Sequence, residues 1–275
     1  KIVFLDKGTL ERVELTFDFP YEMTSIENCA KDDASVTQAI AGHEIVISNK
    51  VPISRQTMEA NPQLKLIAVA ATGFNMVDIE AARDLGITVC NVANYSGTAV
   101  AEHAFMMMIS LMHRLPLYEQ KMKAGEWQKS KYFSIFAEPI FELKGKTLGI
   151  FGKGDIGREF ARYAEAFGMN VLFSERKHAT SIREGYTAFE DVLAQADVYS
   201  IHAPLTEDTK NLIDEKELAQ MKDDVIIINV SRGGLVNELA MANALRNKTV
   251  GGAGFDVLTT EPPKPDNPLL ALDLG

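Results

Sequence analysis

Two series of short apolar runs, separated by stretches with helical spacing, organise this chain. The first series is IVFLD (2–6), EIVIS (44–48), LKLIAVA (64–70) and ITVCNV (87–92). The second is TLGIFG (147–152), NVLFS (170–174), VYSIHA (198–203), VIIINV (225–230) and GAGFDV (252–257). Runs this short and this apolar, alternating with amphipathic segments, predict βαβ units and parallel sheets buried on both faces. The expected architecture is therefore α/β, with two doubly wound parallel sheets. Between the series the pattern predicts one long interdomain helix from about residue 98 to 115, followed by a polar and aromatic arm running to residue 145. The first sheet is complete by residues 93–98, so the expected domains are 1–96 and 97–275. The final residues, EPPKPDNPLLALDLG, read as a loop and a helical turn leading toward a strand that does not follow, as if the chain were interrupted.

A chain of 275 residues fits two domains of ordinary size. Its 46 % hydrophobic and 24 % charged residues are those of a globular protein. The formal net charge of −10 argues against a nucleic-acid or anionic-membrane partner, either of which calls for a basic face. Two cysteines, Cys29 and Cys90, suggest a reducing compartment more than a disulfide framework. The opening residues lack the apolar core and small-residue cleavage site of a signal peptide. The most apolar stretch, FMMMISLM (105–112), is too short to span a bilayer and predicts a buried helix. A cytoplasmic protein without a metal site is expected.

The candidate chemistry begins at LGIFGKGDIGREFARYAEAFG, where Gly152, Gly154 and Gly157 stand in G-x-G-x-x-G spacing. The spacing alone is weak evidence, because glycines punctuate many turns. Here it follows an apolar strand and opens a helix with Phe160, Ala164 and Phe167 at helical spacing. Gly152 permits the turn, Gly154 lets the backbone approach a pyrophosphate, and Gly157 lets helix pack on strand. The helix start, with Asp155 and Ile156, offers N–H donors and partial positive charge to a diphosphate. Glu175 ends the next strand 18 residues after Gly157, where a carboxylate would accept from adenosine ribose hydroxyls and disfavour a 2′-phosphate. Arg176 and Lys177 follow directly and temper that discrimination. NAD, with NADH preferred over NADPH, is the expected cofactor.

A second signal lies in DDVIIINVSRGG (223–234), where Arg232 follows a strand buried on both faces. A guanidinium is always charged and costly to desolvate, so it needs a partner. Ligands of open parallel sheets bind beyond the carboxyl ends of the strands, and Arg232, Ala203, Pro204, Asp256 and Glu261 all fall there. Two readings stand: Arg232 grips an anionic substrate, or it pairs structurally with Glu261.

Taken together, VAATGFNMVD, VAEH, GKTLGIFGKGDIGREFARYAEAFGMNVLFSERK, IHAPLTEDTKNLI, INVSRGGLVNE and GAGFDVLTTEPP resemble the D-isomer-specific 2-hydroxyacid dehydrogenases over essentially the whole chain. Within that family the chain is most similar to the glycerate dehydrogenase (hydroxypyruvate reductase) branch. The resemblance implies a flavodoxin-like substrate domain and a Rossmann-type NAD-binding domain. It implies hydride transfer between NADH and a small 2-oxo or 2-hydroxy acid, such as hydroxypyruvate/D-glycerate or glyoxylate/glycolate. Arg232 becomes the catalytic substrate arginine, and Glu261 the carboxylate that orients the catalytic histidine and raises its pKa. Thr72 and Gly73 become substrate-binding, with the Gly73 N–H facing the substrate carboxylate. Asp256 contacts the nicotinamide carboxamide. Ala203, Pro204 and Val230 line the cofactor, and Asn237, where the family carries Asp, caps a helix.

The family's acid–base histidine falls beyond Gly275, and none of His43, His103, His113, His178 or His202 stands in a matching context. That leaves a rival expectation, a non-enzymatic NAD(H)-sensing or corepressor-like module. A homodimer through 98–145 is also expected, since Met106, Met107, Met108, Ile109, Leu111 and Met112 are more apolar surface than one domain face needs. Trp127, Tyr132, Phe133 and Phe136 are aromatics of the interface kind.

Overall fold

The computed structural model describes residues 1–10 and 12–272, and the chain divides into one compact unit of Lys1–Tyr95 and a second from Ser96 onward. The last three residues of the segment expected to lead into a further strand lie outside the described residues.

The first unit is a five-stranded parallel sheet in the order β2-β1-β3-β4-β5, formed by β1 (Ile2–Phe4), β2 (Met23–Ser25), β3 (Ile45–Ser48), β4 (Leu66–Val69) and β5 (Thr88–Cys90). This is the order 2-1-3-4-5 of flavodoxin-like sheets. Three helices, α1 (Asp33–Ile40), α2 (Arg55–Glu59) and α3 (Ile79–Asp84), connect β2 to β3, β3 to β4 and β4 to β5. Each begins at a side chain that accepts from its first turn: Asp32 from Ser35 N, Ser54 from Thr57 N and Asp78 from Ala81 N. Strand β2 has no apolar periodicity; its sequence is MTS at the sheet edge, and its backbone pairing with β1 alone defines it.

At the carboxyl end of β1 lies Asp6, buried at 3 % exposure. Its carboxylate accepts from Asn49 N at 2.9 Å and Lys50 N at 2.6 Å, fixing the loop that leaves β3. The two thiols, buried Cys29 and exposed Cys90, are free.

In the second unit β6 (Thr147–Phe151), β7 (Asn170–Ser174), β8 (Val198–Ile201), β9 (Ile226–Asn229) and β10 (Gly252–Phe255) form a parallel sheet in the order β10-β9-β8-β6-β7. A single parallel bridge, Ser174 to Thr187, extends it beyond β7. Counting that bridge as the third strand of the unit gives 3-2-1-4-5-6, the order of dinucleotide-binding sheets, with the reversal between β6 and β8. Strand β9 shows why the pattern reads as continuously apolar. Ile226 and Ile228 enter the core beneath α4 (Gly97–Met112) and α6 (Asp155–Ala166). Ile227 enters the opposite core, with α7 (Phe189–Gln195) and α9 (Glu238–Arg246). The short α8 (Glu215–Leu218) carries a reciprocal capping box between Asp214 and Glu217.

The helix expected over 98–115 is two helices: α4 ends at Met112, and α5 spans Leu115–Lys123. Arg114 between them is left-handed at φ 53°, and Pro116 occupies the first turn of α5. A proline at that point has no N–H to continue the ladder, and its ring would clash with the Met112 carbonyl. Helix α4 buries Ala101, Ala104, Met108 and Met112 against its own sheet. Met107 and Leu111 close over Gly254 of β10, where an added Cβ would meet them at 3.2–3.3 Å. No helix among the described residues is long and apolar enough to cross a membrane.

Replacing Asp6 by Ala should destabilise the first unit by about 2–3 kcal/mol, because two loop N–H groups lose their charged acceptor beneath the surface. Chemical denaturation followed by circular dichroism checks this; a change below about 0.5 kcal/mol, the ordinary surface range, would contradict it.

Candidate active site

The turn after β6 is shaped by close approach. Gly152 adopts φ +107°, and a Cβ there would sit 2.2 Å from the His202 carbonyl oxygen. A Cβ on Gly157 would lie 2.1 Å from the Gly152 oxygen and 3.3 Å from the Ile150 side chain. Both positions exclude any larger residue, and together they bring the start of α6 to the sheet reversal. Gly154 is the N-cap of α6, and nothing lies within 4 Å of where its Cβ would be. The N-cap of a twelve-residue helix, the positive end of its dipole, is thus left free of side-chain cover. Asp155 is exposed and pairs with Arg158 at 2.6 Å, while Ile156 packs partly into the α4–α6 core.

Glu175, at the end of β7, is 1 % exposed, and both its oxygens are engaged within the chain. Oε1 accepts from Arg176 N at 2.8 Å and Arg183 Nη2 at 2.6 Å; Oε2 accepts from Arg183 Nε at 2.7 Å and Arg183 N at 3.2 Å. These charged and backbone donors outweigh burial and hold its pKa down at about 2. The carboxylate expected to stand open to a ribose is therefore occupied by Arg183. Lys177, the flexible cation of the sequence reading, is committed elsewhere, to Glu217 at 3.0 Å.

Beyond β8, His202 is enclosed beneath α6, its ring edge-on to Phe160 at 5.4 Å. Nε2 lies 2.9 Å from Ser200 Oγ, and Nδ1 is buried without a partner among the described residues. Desolvation pushes its pKa down to about 4, so it is neutral near pH 7. Ala203 and Pro204 continue outward, and the Pro204 carbonyl accepts from Thr209 Oγ1 at 2.8 Å.

Strand β9 ends in a stapled loop. Asn229, the lone polar residue of the run, is 1 % exposed. Its Nδ2 donates to the Arg232 carbonyl at 2.8 Å and its Oδ1 accepts from Ser231 N at 3.1 Å. Ser231 Oγ donates to the Ile201 carbonyl at 2.8 Å, tying the loop to β8, while Val230 is buried beneath it. Arg232 is exposed; Nη1 donates to the Ser231 carbonyl at 2.7 Å, and it pairs with no carboxylate among the described residues. The structural ion pair with Glu261 does not form.

Gly233 then packs against the next loop so closely that a Cβ would lie 2.0 Å from the Leu258 carbonyl atoms. That loop carries Asp256 and Glu261. Glu261 Oε1 accepts from Leu258 N at 3.0 Å, and Asp256 Oδ1 lies 3.5 Å from His103 Nε2 on α4. Glu238, in the first turn of α9, clamps the same loop, accepting from Thr259 N at 2.6 Å and Asn267 Nδ2 at 2.7 Å. Asn237 caps α9 through Leu239 N and Ala240 N. The second unit thus brings Arg232, Asp256 and Glu261 onto two loops in direct contact. In the first unit, Thr72 follows β4, its hydroxyl donating to the Val92 carbonyl and its carbonyl accepting from Asn91 Nδ2. Gly73, next to it, is half-buried.

Sequence reasoning missed Asn229, Gly233, Glu238 and Arg183. Asn229 had a signal, a polar residue inside a doubly buried strand. Gly233, Glu238 and Arg183 had none, since their partners lie far away in the sequence or, for Arg183, across an irregular loop.

A family model described as "D-isomer specific 2-hydroxyacid dehydrogenase, NAD binding domain" matches residues 105–274. The glycerate dehydrogenase of Methylorubrum extorquens is 43 % identical over 274 residues, covering 100 % of this chain and 86 % of that protein. The hydroxypyruvate reductase of Blautia hydrogenotrophica is 36 % identical over 253 residues, covering 91 % of this chain and 77 % of that one. The solved structure of D-lactate dehydrogenase from Aquifex aeolicus, complexed with NAD and lactic acid, superposes with a TM-score of 0.76 at 28 % identity, covering 94 % of this chain and 77 % of that chain. The chain belongs to the D-isomer specific 2-hydroxyacid dehydrogenases. Its activity is that of an NAD-dependent oxidoreductase, transferring hydride from a small 2-hydroxy acid or, in reverse, to the corresponding 2-oxo acid.

The His202 environment predicts an acid response. Its folded pKa lies below the ordinary 6.5, so between pH 6.5 and about 4 the unfolded chain binds a proton that the native chain does not. Stability should therefore fall across that window, by up to about 3 kcal/mol at its lower end, and level off below it. Unfolding free energies measured from pH 7 to 4 should show this slope, and His202→Gln should flatten it; an equal slope in the variant would contradict the assignment.

Proposed function

We propose that this enzyme reduces a small 2-oxo acid of the hydroxypyruvate or glyoxylate type, with Arg232 as the residue that binds and polarises it. The observation that carries this reading is an exposed arginine, held by Asn229 and Ser231 at the carboxyl end of β9, that spends its charge on no carboxylate of the chain. Its planar fork matches the carboxylate and carbonyl of a 2-oxo acid, and the carbonyl oxygen gains negative charge as reaction proceeds. When bound, the dinucleotide supplies the hydride. The residues suited to hold it are the glycine turn and the start of α6, with Ala203, Pro204 and Val230 alongside and Asp256 at the carboxamide. Glu261, fixed by the Leu258 N–H, is the carboxylate that orients the proton donor for the substrate oxygen. In the first unit, Thr72 and Gly73 are the further candidates for substrate binding, Thr72 being tied down at both its hydroxyl and its carbonyl. An acidic protein thereby accepts an anionic substrate through a few fixed donors instead of a basic surface.

Arg232→Lys keeps the charge and loses the fork. Steady-state kinetics with hydroxypyruvate should show kcat/KM lower by about a hundredfold or more, the range of about 2.7–4 kcal/mol for one lost transition-state donor. NADH affinity should stay within about twofold, a few tenths of a kcal/mol. Wild-type turnover in the variant would remove Arg232 from the mechanism.

The dimer belongs to the same proposal. Helix α4 satisfies its inner face within its own unit, yet Met106, Leu115 and Trp127 remain at least half exposed. Phe133 and Phe136 are 91 % and 82 % exposed, beside Tyr132. Such clustered apolar and aromatic surface fits a second copy of the chain. Sedimentation at micromolar concentration should give the mass of a dimer, and a monomer there would refute this interface.

A further inference from the structure

We propose that Arg183 sets the coenzyme selectivity of this enzyme, by capturing Glu175 and leaving a net-positive pocket that accepts the 2′-phosphate of NADPH as well as the free ribose of NADH. This rests on the reading of the glycine turn as the dinucleotide site and extends it to which dinucleotide is taken. An acidic group at the end of the second strand discriminates in two ways: it accepts from ribose hydroxyls, and it repels a 2′-phosphate. Glu175 stands at that place and can do neither. Its two oxygens already take four N–H donors, three of them from Arg183, and it is buried beneath them. Its charge is cancelled at 2.6 Å by the Arg183 guanidinium.

The cations around it are then left in excess. Arg183 presents a half-exposed side chain, stacked on the Tyr186 ring with Cζ 4.0 Å from the centroid, and its Nη1 has no acceptor among the described residues. Lys153, from the glycine turn itself, reaches the same ring: its Nζ is 5.1 Å from the Tyr186 centroid and 4.5 Å from that of Phe173, and it donates to the Gly185 carbonyl at 3.1 Å. Arg176, adjoining Glu175, is exposed and makes no ion pair among the described residues. With Arg183 neutralising the carboxylate, two further positive groups, Lys153 and Arg176, remain beside it. Of the nearby acids, Asp155 is paired with Arg158 and Glu217 with Lys177, and the exposed Glu184 offsets one of the two free cations, which leaves the group positive. Two of the cations are pinned on aromatic faces, which lowers the entropy lost when they close on a phosphate. A dianion is what such a pocket recognises.

The test is equilibrium binding by calorimetry of four probes: NADH, NADPH, adenosine 5′-monophosphate and adenosine 2′,5′-bisphosphate. The wild-type protein should bind NADPH at least as tightly as NADH. It should bind the bisphosphate at least about tenfold more tightly than the monophosphate, an advantage that shrinks as salt rises. Arg183→Met should free the Glu175 carboxylate and move the NADH-to-NADPH affinity ratio about tenfold or more toward NADH. Lys153→Met, which leaves Glu175 engaged, should weaken the bisphosphate and spare the monophosphate, and it serves should the Arg183 variant not fold. A wild-type preference for NADH above tenfold, or equal binding of the two adenosine phosphates, overturns the proposal while leaving the dinucleotide site intact. Binding of none of the four probes overturns the site reading itself.

Discussion

The backbone of Gly152 passes so close to the end of β8 that no side chain can stand between them, and the second unit's chemistry depends on that contact. It sets the distance between the two strands at which the sheet order reverses. It also forces the chain into a left-handed turn that only glycine adopts at no cost. Gly157 repeats the constraint one helical turn later, seating α6 on the Gly152 carbonyl. With those two contacts made, the start of α6 is held at the sheet reversal, beyond the carboxyl ends of β6 and β8. A Cβ at either position would push the helix away and scatter the donors. The His202 ring is enclosed under the same turn, which keeps its imidazole neutral near pH 7.

A second device of the same kind positions Arg232. Asn229 spends a buried amide on the Arg232 loop, Ser231 ties that loop to β8, and Gly233 lets it lie directly on the loop bearing Asp256 and Glu261. Glu238 then holds that second loop from the start of α9. Each is a directional contact between backbone and a small or polar side chain, which defines loop geometry more sharply than apolar packing does. The apolar cores supply the driving force for folding. These few polar contacts decide where the exposed charge of Arg232 stands.

Much of this was legible along the chain, because the periodicity of buried strands and the spacing of glycines are local properties. The nine apolar runs all became strands, and NVLFS did so over its full length. The glycine fingerprint fell on a strand–turn–helix as its spacing required. Strand β2 escaped because three residues at a sheet edge carry no period, and only pairing with β1 identifies them. The break after α4 was readable in Pro116 but was outweighed by the apolar run before it.

What the sequence determined by itself is the alternation that yields two parallel sheets, the glycine turn, and the family to which the chain is similar. Those follow from residue type and spacing alone. What only the tertiary structure decided is which charges are spent and which remain. Glu175 occupies the position of a ribose acceptor in sequence, yet Arg183, eight residues on, folds back to consume it. In sequence Arg232 could pair with Glu261 or with an anionic ligand; the fold pairs it with neither Glu261 nor any other described carboxylate. A charge's partner is fixed by distances of a few ångströms between segments whose separation along the chain says nothing about their separation in space.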